Sequence, residues 1–424
     1  MQVPDTPWKP WQKISFRFFF ILMTLLSYVC WDLIIFFIRS VFVNGDVGLS
    51  NLFKPLLGVF YWLDKHIYHT GLGAHTRNFE LGDNHFGVVW YLTVVLSAVI
   101  AAIMWSIFDR KRSNYSKLYY WFSLYLRYLL AIIIFGYGID KVIPVQMPFP
   151  SAVNMTLPYG NFSRFDVLWN FMGVSPGYMI FTGSMEIIAA LLLLSRRTAV
   201  AGYILTAGIM ANVVALNWFY NVPVKLFSAQ LLLYALFLLA PYLKNIFQVF
   251  FMDGTAAFSQ RSFAFEIPPK KILIRGALIF VPIALMAFST AATYKRYVKQ
   301  KKDARNEKPY DVTAFEVKDT IKAPVPDALR WKHVLMNIYG TSFVISNMKD
   351  KLDWYDCDVD SVKKTLTLHD NPDKKTWKIF NYIKPSKDQL QLTGKWKGLN
   401  IRVLLKPLPL DSMNLSTEKI KLIQ

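Results

Sequence analysis

The chain is poor in the residues that most chemistry needs. Only two cysteines, Cys30 and Cys357, occur among 424 residues. The first stands in an apolar run and the second in a polar tail, and there is no C-x-x-C, so neither a disulfide between them nor dithiol redox chemistry is expected. Two cysteines also cannot build a Cys-rich zinc or iron–sulfur site. Walker loops, G-x-G-x-x-G, H-E-x-x-H and G-x-S-x-G are all missing, which removes the commonest nucleotide, zinc-protease and hydrolase readings. Acidic residues are scarce as well: 28 Asp and Glu stand against 48 Lys and Arg, a net charge of +20.

What the chain has is apolar surface. The hydrophobic set makes up 54% and aromatics 16%, too much for a disordered chain and high for a purely soluble enzyme. Charge is unevenly placed. Residues 1–294 hold 22 basic and 12 acidic groups, whereas the much shorter 295–424 hold 26 and 16. An apolar body therefore precedes a charge-rich tail. The basic excess is spread over loops and tail, so nucleic acid is not an expected partner.

A helix needs about 20 apolar residues to cross a bilayer core. Seven windows suit: 14–38, 86–108, 121–143, 177–195, 198–217, 225–243 and 271–292. The first lacks a small-residue cleavage site and reads as a retained span. With the N-terminus inside, the inner segments carry 13 Lys and Arg in about 60 residues, against 7 in about 90 outside. That bias places the N-terminus in the cytoplasm and the tail outside, across a bacterial inner membrane. Lys295, Arg296, Lys299, Lys301, Lys302 and Arg305, on the expected outer side, run against it, but long domains translocate largely regardless of charge.

Between spans, Leu52, Leu56, Phe60, Leu63 and Ile67 recur at helical spacing. They predict an amphipathic helix, either lying on the outer interface or packed on the bundle. The proline-rich loop 144–176 contains Ser163-Arg-Phe-Asp166, which resembles a capping box, and reads as a structured cap over the bundle. From Tyr310 the period changes to two. Runs at 342–348, 364–370, 377–383, 389–396 and 399–405 predict an antiparallel β-sandwich or small barrel. Gly394 and Gly398 are expected to shape a hairpin between the last two strands. The resulting division is 1–120 for two spans with their outer loop, 121–245 for a four-helix core, 246–292 for a cytoplasmic loop and the seventh span, 293–309 for a basic linker, and 310–424 for a β-rich extracytoplasmic domain.

Charges inside spans are costly and are the best functional pointers. Asp32, Arg127, Asp140, Lys141 and Glu186 qualify. Arg127, Ile134, Gly138 and Lys141 share one helix face, along which Arg127 and Lys141 stand about 21 Å apart. Depth counting makes an Arg127–Glu186 pair across adjacent helices feasible. Such a pair either fixes how two helices dock or sets a polar site for a quinone headgroup or proton-coupled ligand. Asn212 in the fifth span can hydrogen-bond across helices. Lys225 is expected level with Asp140 and Lys141 at the outer mouth, either as a place for an anion or as snorkelling lysines. No metal motif is defensible; His66 and His69, spaced i, i+3, are the nearest thing to a metal pair.

The segment Arg127–Lys244 resembles the DoxX-like family of bacterial membrane proteins. The resemblance rests on LRYLLAIIIFGYGIDKVIP, WNFMGVSPGYMIFTGSMEIIAALLLLSRRTAVAGYILTAGIMANVVALN and NVPVKLFSAQLLLYALFLLAP, with Gly138-Ile-Asp-Lys141 and Gly183-Ser-Met-Glu186 in order. It implies a four-helix core. Some relatives look like small subunits of thiosulfate:quinone oxidoreductase or other membrane oxidoreductase complexes; many have no established activity. This chain departs by two added spans before the core, one after it, and the β-rich tail. Three functions follow as expectations: a non-catalytic anchor or assembly subunit binding another envelope protein through the β-domain, a redox-linked subunit with a quinone in the core, or a transporter.

Overall fold

The apolar windows fold as helices and the alternating tail folds as strands. A computed structural model describes residues 7–42, 57–72, 83–252, 255, 272–318, 324–337, 342–369, 377–386 and 388–417. It divides into two units: Met1–Gln146 with Gly177–Lys295, and Met147–Pro176 with Arg296–Gln424.

The first unit is helical. Among the described residues six stretches are long and apolar enough to cross a membrane: Pro10–Phe36, His85–Phe108, Ser116–Val142, Pro176–Leu194, Ala199–Phe219 and Lys225–Phe251. The chain is thus a multi-pass membrane protein in a lipid bilayer. The spans belong to α1 (Pro10–Phe42), α3 (His85–Phe108), α4 (Ser116–Val142), α7 (Pro176–Leu194), α8 (Ala199–Phe219) and α9 (Lys225–Leu239), which passes through a 3-10 turn into α10 (Leu243–Phe251). Side chains such as Ile103, Phe181, Leu191 and Ile204 stand exposed on these helices, as lipid-facing residues do. From Ile272 on, the 271–292 window lies in α11 (Ile272–Asn306) and is not among the six. Leu285 and Ser289 of α11 line a small cleft with Ile132, Ile133 and Gly136 of α4. One turn further on, Thr293 Oγ1 donates to Asp140 Oδ1. Steps of four on one helix follow steps of four on the other, so α11 runs beside α4 in the same direction.

The expected amphipathic helix is described from its middle as α2 (Leu57–Leu63), continued by a π turn, Asp64–Tyr68; Leu52 and Leu56 lie outside the described residues. One face packs on α3, where Phe60 meets Phe86 and Trp90 at ring distances of 5.6 and 5.8 Å. Val59, Trp62 and Ile67 on the other side are exposed. Buried Asp64 accepts from Thr70 N, Thr70 Oγ1 and Leu72 N. Desolvation pushes its carboxyl up, but these donors outweigh it and hold the group below the usual carboxylate range.

The residues of the proline-rich loop group with the tail in the second unit. It forms α5 (Ala152–Thr156) and α6 (Arg164–Gly173). The capping box is present: Ser163 Oγ accepts from Asp166 N, and Asp166 Oδ2 from Ser163 N, each at 3.1 Å. Ala152, Val153 and Thr156 share a cleft with Pro309, His333 and Val344.

The tail closes into an eight-stranded antiparallel barrel in simple sequence order. Its strands are β1 (Glu307–Val317), β2 (Trp331–Asn337), β3 (Ser342–Asn347), β4 (Leu352–Asp360), β5 (Thr365–His369), β6 (Trp377–Ser386), β7 (Gln389–Trp396) and β8 (Leu399–Pro407). Closure comes from β1 against β8, for example Phe315 opposite Val403. The five strands read from alternation are all present. Residues 293–306, read as a linker, are the end of α11. The last hairpin turns through Lys397 and Gly398, both at positive φ (45° and 91°), the geometry of a two-residue turn. Gly394 is not part of that turn. It lies within β7, where a Cβ would stand 2.6 Å from Ile379 O.

Both cysteines are free and buried. Burial pushes the Cys357 thiol up to about 11. The folded state therefore favours the neutral thiol, and this contribution to stability weakens as pH climbs from about 9 through about 11. A maleimide should label Cys357 only after unfolding; rapid labelling of native protein at pH 8 would contradict this.

Candidate functional site

The strongest site candidate is where α4 crosses α7. Gly138 and Gly183 meet backbone to backbone. A Cβ on Gly183 would stand 2.6 Å from Gly138 O and 2.8 Å from Lys141 Cβ; one on Gly138 would stand 2.8 Å from Gly183 O. Only glycine permits this approach. Because the helices touch here, Lys141 reaches Glu186: Nζ donates to Oε1 and to Oε2, both at 2.8 Å. The two side chains are 9% and 5% exposed. Lys141 Nζ also stands 5.8 Å from the Tyr137 ring centroid. The two Gly-x-x-charge motifs therefore act as one unit, glycine for contact and charge for the lock. Gly183→Ala should destabilise the protein by about 1–3 kcal/mol, because backbone, not a flexible side-chain end, blocks the methyl. Thermal unfolding in detergent measures it; an unchanged midpoint would refute the crossing.

The expected Arg127–Glu186 pair does not form. Arg127 is buried, with Cζ 5.0 Å from the Tyr128 ring centroid and Tyr203 close by. Glu186 takes Lys141 because the glycine contact brings that end of α4 close. Asp140 and Lys225, expected at one level with Lys141, each take a partner of their own. Asp140 accepts from Thr293. Lys225 Nζ stands 3.5 Å from Asp83 Oδ2, and the same carboxylate accepts from the backbone N–H groups of Lys225 and Leu226. Asp83 thereby caps the start of α9, a role concealed in the sequence by the 142 residues between Asp83 and Lys225. Asn212 is exposed on α8 rather than turned into the core.

A second polar group joins α1, α3 and α9. Gln230 Nε2 donates to Leu26 O at 3.0 Å, and Tyr91 OH donates to Gln230 Oε1 at 2.9 Å. Tyr234 OH donates to Met23 O at 3.1 Å. These satisfied bonds hold helices together and leave no reactive group free. Arg17 is likewise fully engaged, with Tyr115, Ser106 and the Asp109 carbonyl.

His66 Nδ1 engages Trp62 O at 2.9 Å, and His69 takes a left-handed turn position, φ 52°. Among the described residues no three His, Cys, Asp or Glu side chains are grouped to hold a metal.

Helical spans locked by a buried ion pair, followed by a closed barrel, define a polytopic membrane protein with an attached β-domain. Over 113 residues the chain is 34% identical to a Bacillus subtilis (strain 168) protein described as "Uncharacterized protein YwoB", covering 27% of this chain and 71% of that protein. The chain belongs to the family of that protein. No family model and no solved structure matches.

Proposed function

We propose that the protein is a non-catalytic anchor or assembly subunit: the helices hold it in the bacterial inner membrane, and the barrel wall binds another envelope protein. The carrying observation is the outer face of β6. Trp377, Ile379 and Ile383 alternate outward and are 61%, 56% and 53% exposed. Beside them, across β5, run the outward aspartates of β4; Asp358, Thr367 and Ile379 form one cross-strand row. A closed barrel has no free strand edge for a partner to extend. Its interior is filled by Trp331, Trp396, Phe343 and Phe380. What remains for binding is the wall, and an apolar ridge flanked by acids suits a partner that is apolar with a basic margin.

The topology has its own support. Loop 147–176 and the barrel share one unit, so they lie on one side of the membrane. Between them the chain runs through α7, α8, α9 and α11, and the even number of crossings this calls for supports α11 as a seventh span. The positive-inside bias favours the outside for that shared side. The linked Gly-x-x-Lys and Gly-x-x-Glu motifs support a DoxX-like core. A quinone headgroup there has less support, since Glu186 and Lys141 already saturate each other.

A photocrosslinking amino acid at position 379, in cells, should trap a discrete adduct that the same group at position 406 on β8 does not. Equal patterns at both positions, or none at 379, would refute the reading.

A further inference from the structure

Arg127 is 5% exposed, yet among the described residues its Nε and Nη2 find no hydrogen-bond partner. A guanidinium cannot shed its charge in a protein, and buried charge calls for a counter-charge. Three described acids of the helical unit have partners of their own: Glu186 has Lys141, Asp140 has Thr293 and Asp83 has Lys225. A second buried donor stands along α8 from Tyr203, the residue that Arg127 meets. Thr206 lies one turn beyond Tyr203 on the same face of α8, is fully buried, and its hydroxyl has no partner among the described residues.

The place of this group limits its ligand. The Arg127 side chain leans toward the start of its helix, and it meets Tyr203, the fifth residue of α8, about 6 Å from that helix's beginning. Tyr203 packs on Tyr242, in the turn after α9, at 6.2 Å. The same end of the bundle carries exposed Arg196, Arg197 and Lys244. A basic rim thus surrounds an inner, unsatisfied guanidinium and hydroxyl at headgroup level.

We infer that Arg127 and Thr206 form a binding site for a phosphate group, that of an anionic phospholipid of the adjoining leaflet or a free phosphate. Phosphate oxygens would accept from Nε and Nη2 together, the fork geometry that arginine offers, and from Thr206 Oγ1. The rim draws anionic headgroups to that end. The inference does not depend on the anchor reading.

The test uses the delipidated full-length protein in dodecyl maltoside. Native mass spectrometry measures retained phosphatidylglycerol, and thermal shift measures the response to inorganic phosphate. Wild type should retain the lipid, with occupancy falling about tenfold in Arg127→Gln and several-fold in Thr206→Val, which keeps the charge and the volume. A thermal shift with phosphate, lost in both variants and without lipid retention, identifies the free anion instead. If Arg127→Gln does not fold, Thr206→Val decides. Wild type binding neither probe, or variants binding both as wild type does, overturns the site.

Discussion

Glu186→Leu, with Lys141 left in place, should destabilise the helical unit by about 3–5 kcal/mol. The carboxylate accepts two 2.8 Å bonds from one ammonium, and both groups are nearly excluded from solvent. Removing one partner leaves the other charge buried without compensation. The loss should be greater than for a surface pair, which is worth about 0–1 kcal/mol, and should change little with salt, since buried pairs are weakly screened. Glu186→Gln keeps an acceptor and should fall between. The double variant Lys141→Met, Glu186→Leu should recover most of the loss, because no charge remains to be solvated. Unfolding in detergent micelles, followed by far-UV circular dichroism, closes this double-mutant cycle. Losses that simply add would mean that the two side chains do not act as a pair.

Trp396→Ala should cost the barrel about 3–5 kcal/mol. Trp396 is 1% exposed. It meets Trp331 edge-on at 5.1 Å and Tyr355 at 5.6 Å, and Lys378 Nζ lies 5.2 Å from its ring centroid. Deleting the indole removes these contacts at once and leaves a void in the barrel interior. Trp354, 63% exposed on the outer wall, is the control: Trp354→Ser should stay within about 0.5 kcal/mol. Near-UV circular dichroism of the full chain reports the barrel. Equal effects from the two substitutions would contradict the inward and outward assignment.

Much of the architecture is written locally. The windows at 86–108 and 121–143 lie within a residue or a few of α3 and α4, because a bilayer demands an uninterrupted apolar helix of set length. β3, β5, β6, β7 and β8 show themselves through alternation. β1, β2 and β4 are harder to see. Glu307–Val317 follows directly on a basic helix, and Leu352–Asp360 alternates aspartate with Tyr355 and Cys357 rather than with aliphatic residues. Asp83 as the cap of α9 is invisible in sequence, since its partner stands far along the chain.

The amino-acid order by itself therefore determined most of the membrane helices and five of the eight strands, and that Arg127, Lys141 and Glu186 are the costly charges of the helical part. Those properties depend on neighbours a few residues away. Only the tertiary structure decided which cation Glu186 takes, whether the strands close into a barrel or stack as a sandwich, and where loop 147–176 belongs. Arg127 and Lys141 lie on one face of one helix, so either is in register to meet Glu186; the contact of two glycines chooses Lys141. Alternation is the same in barrel and sandwich, and the choice rests on β1 reaching β8 across some ninety residues of chain.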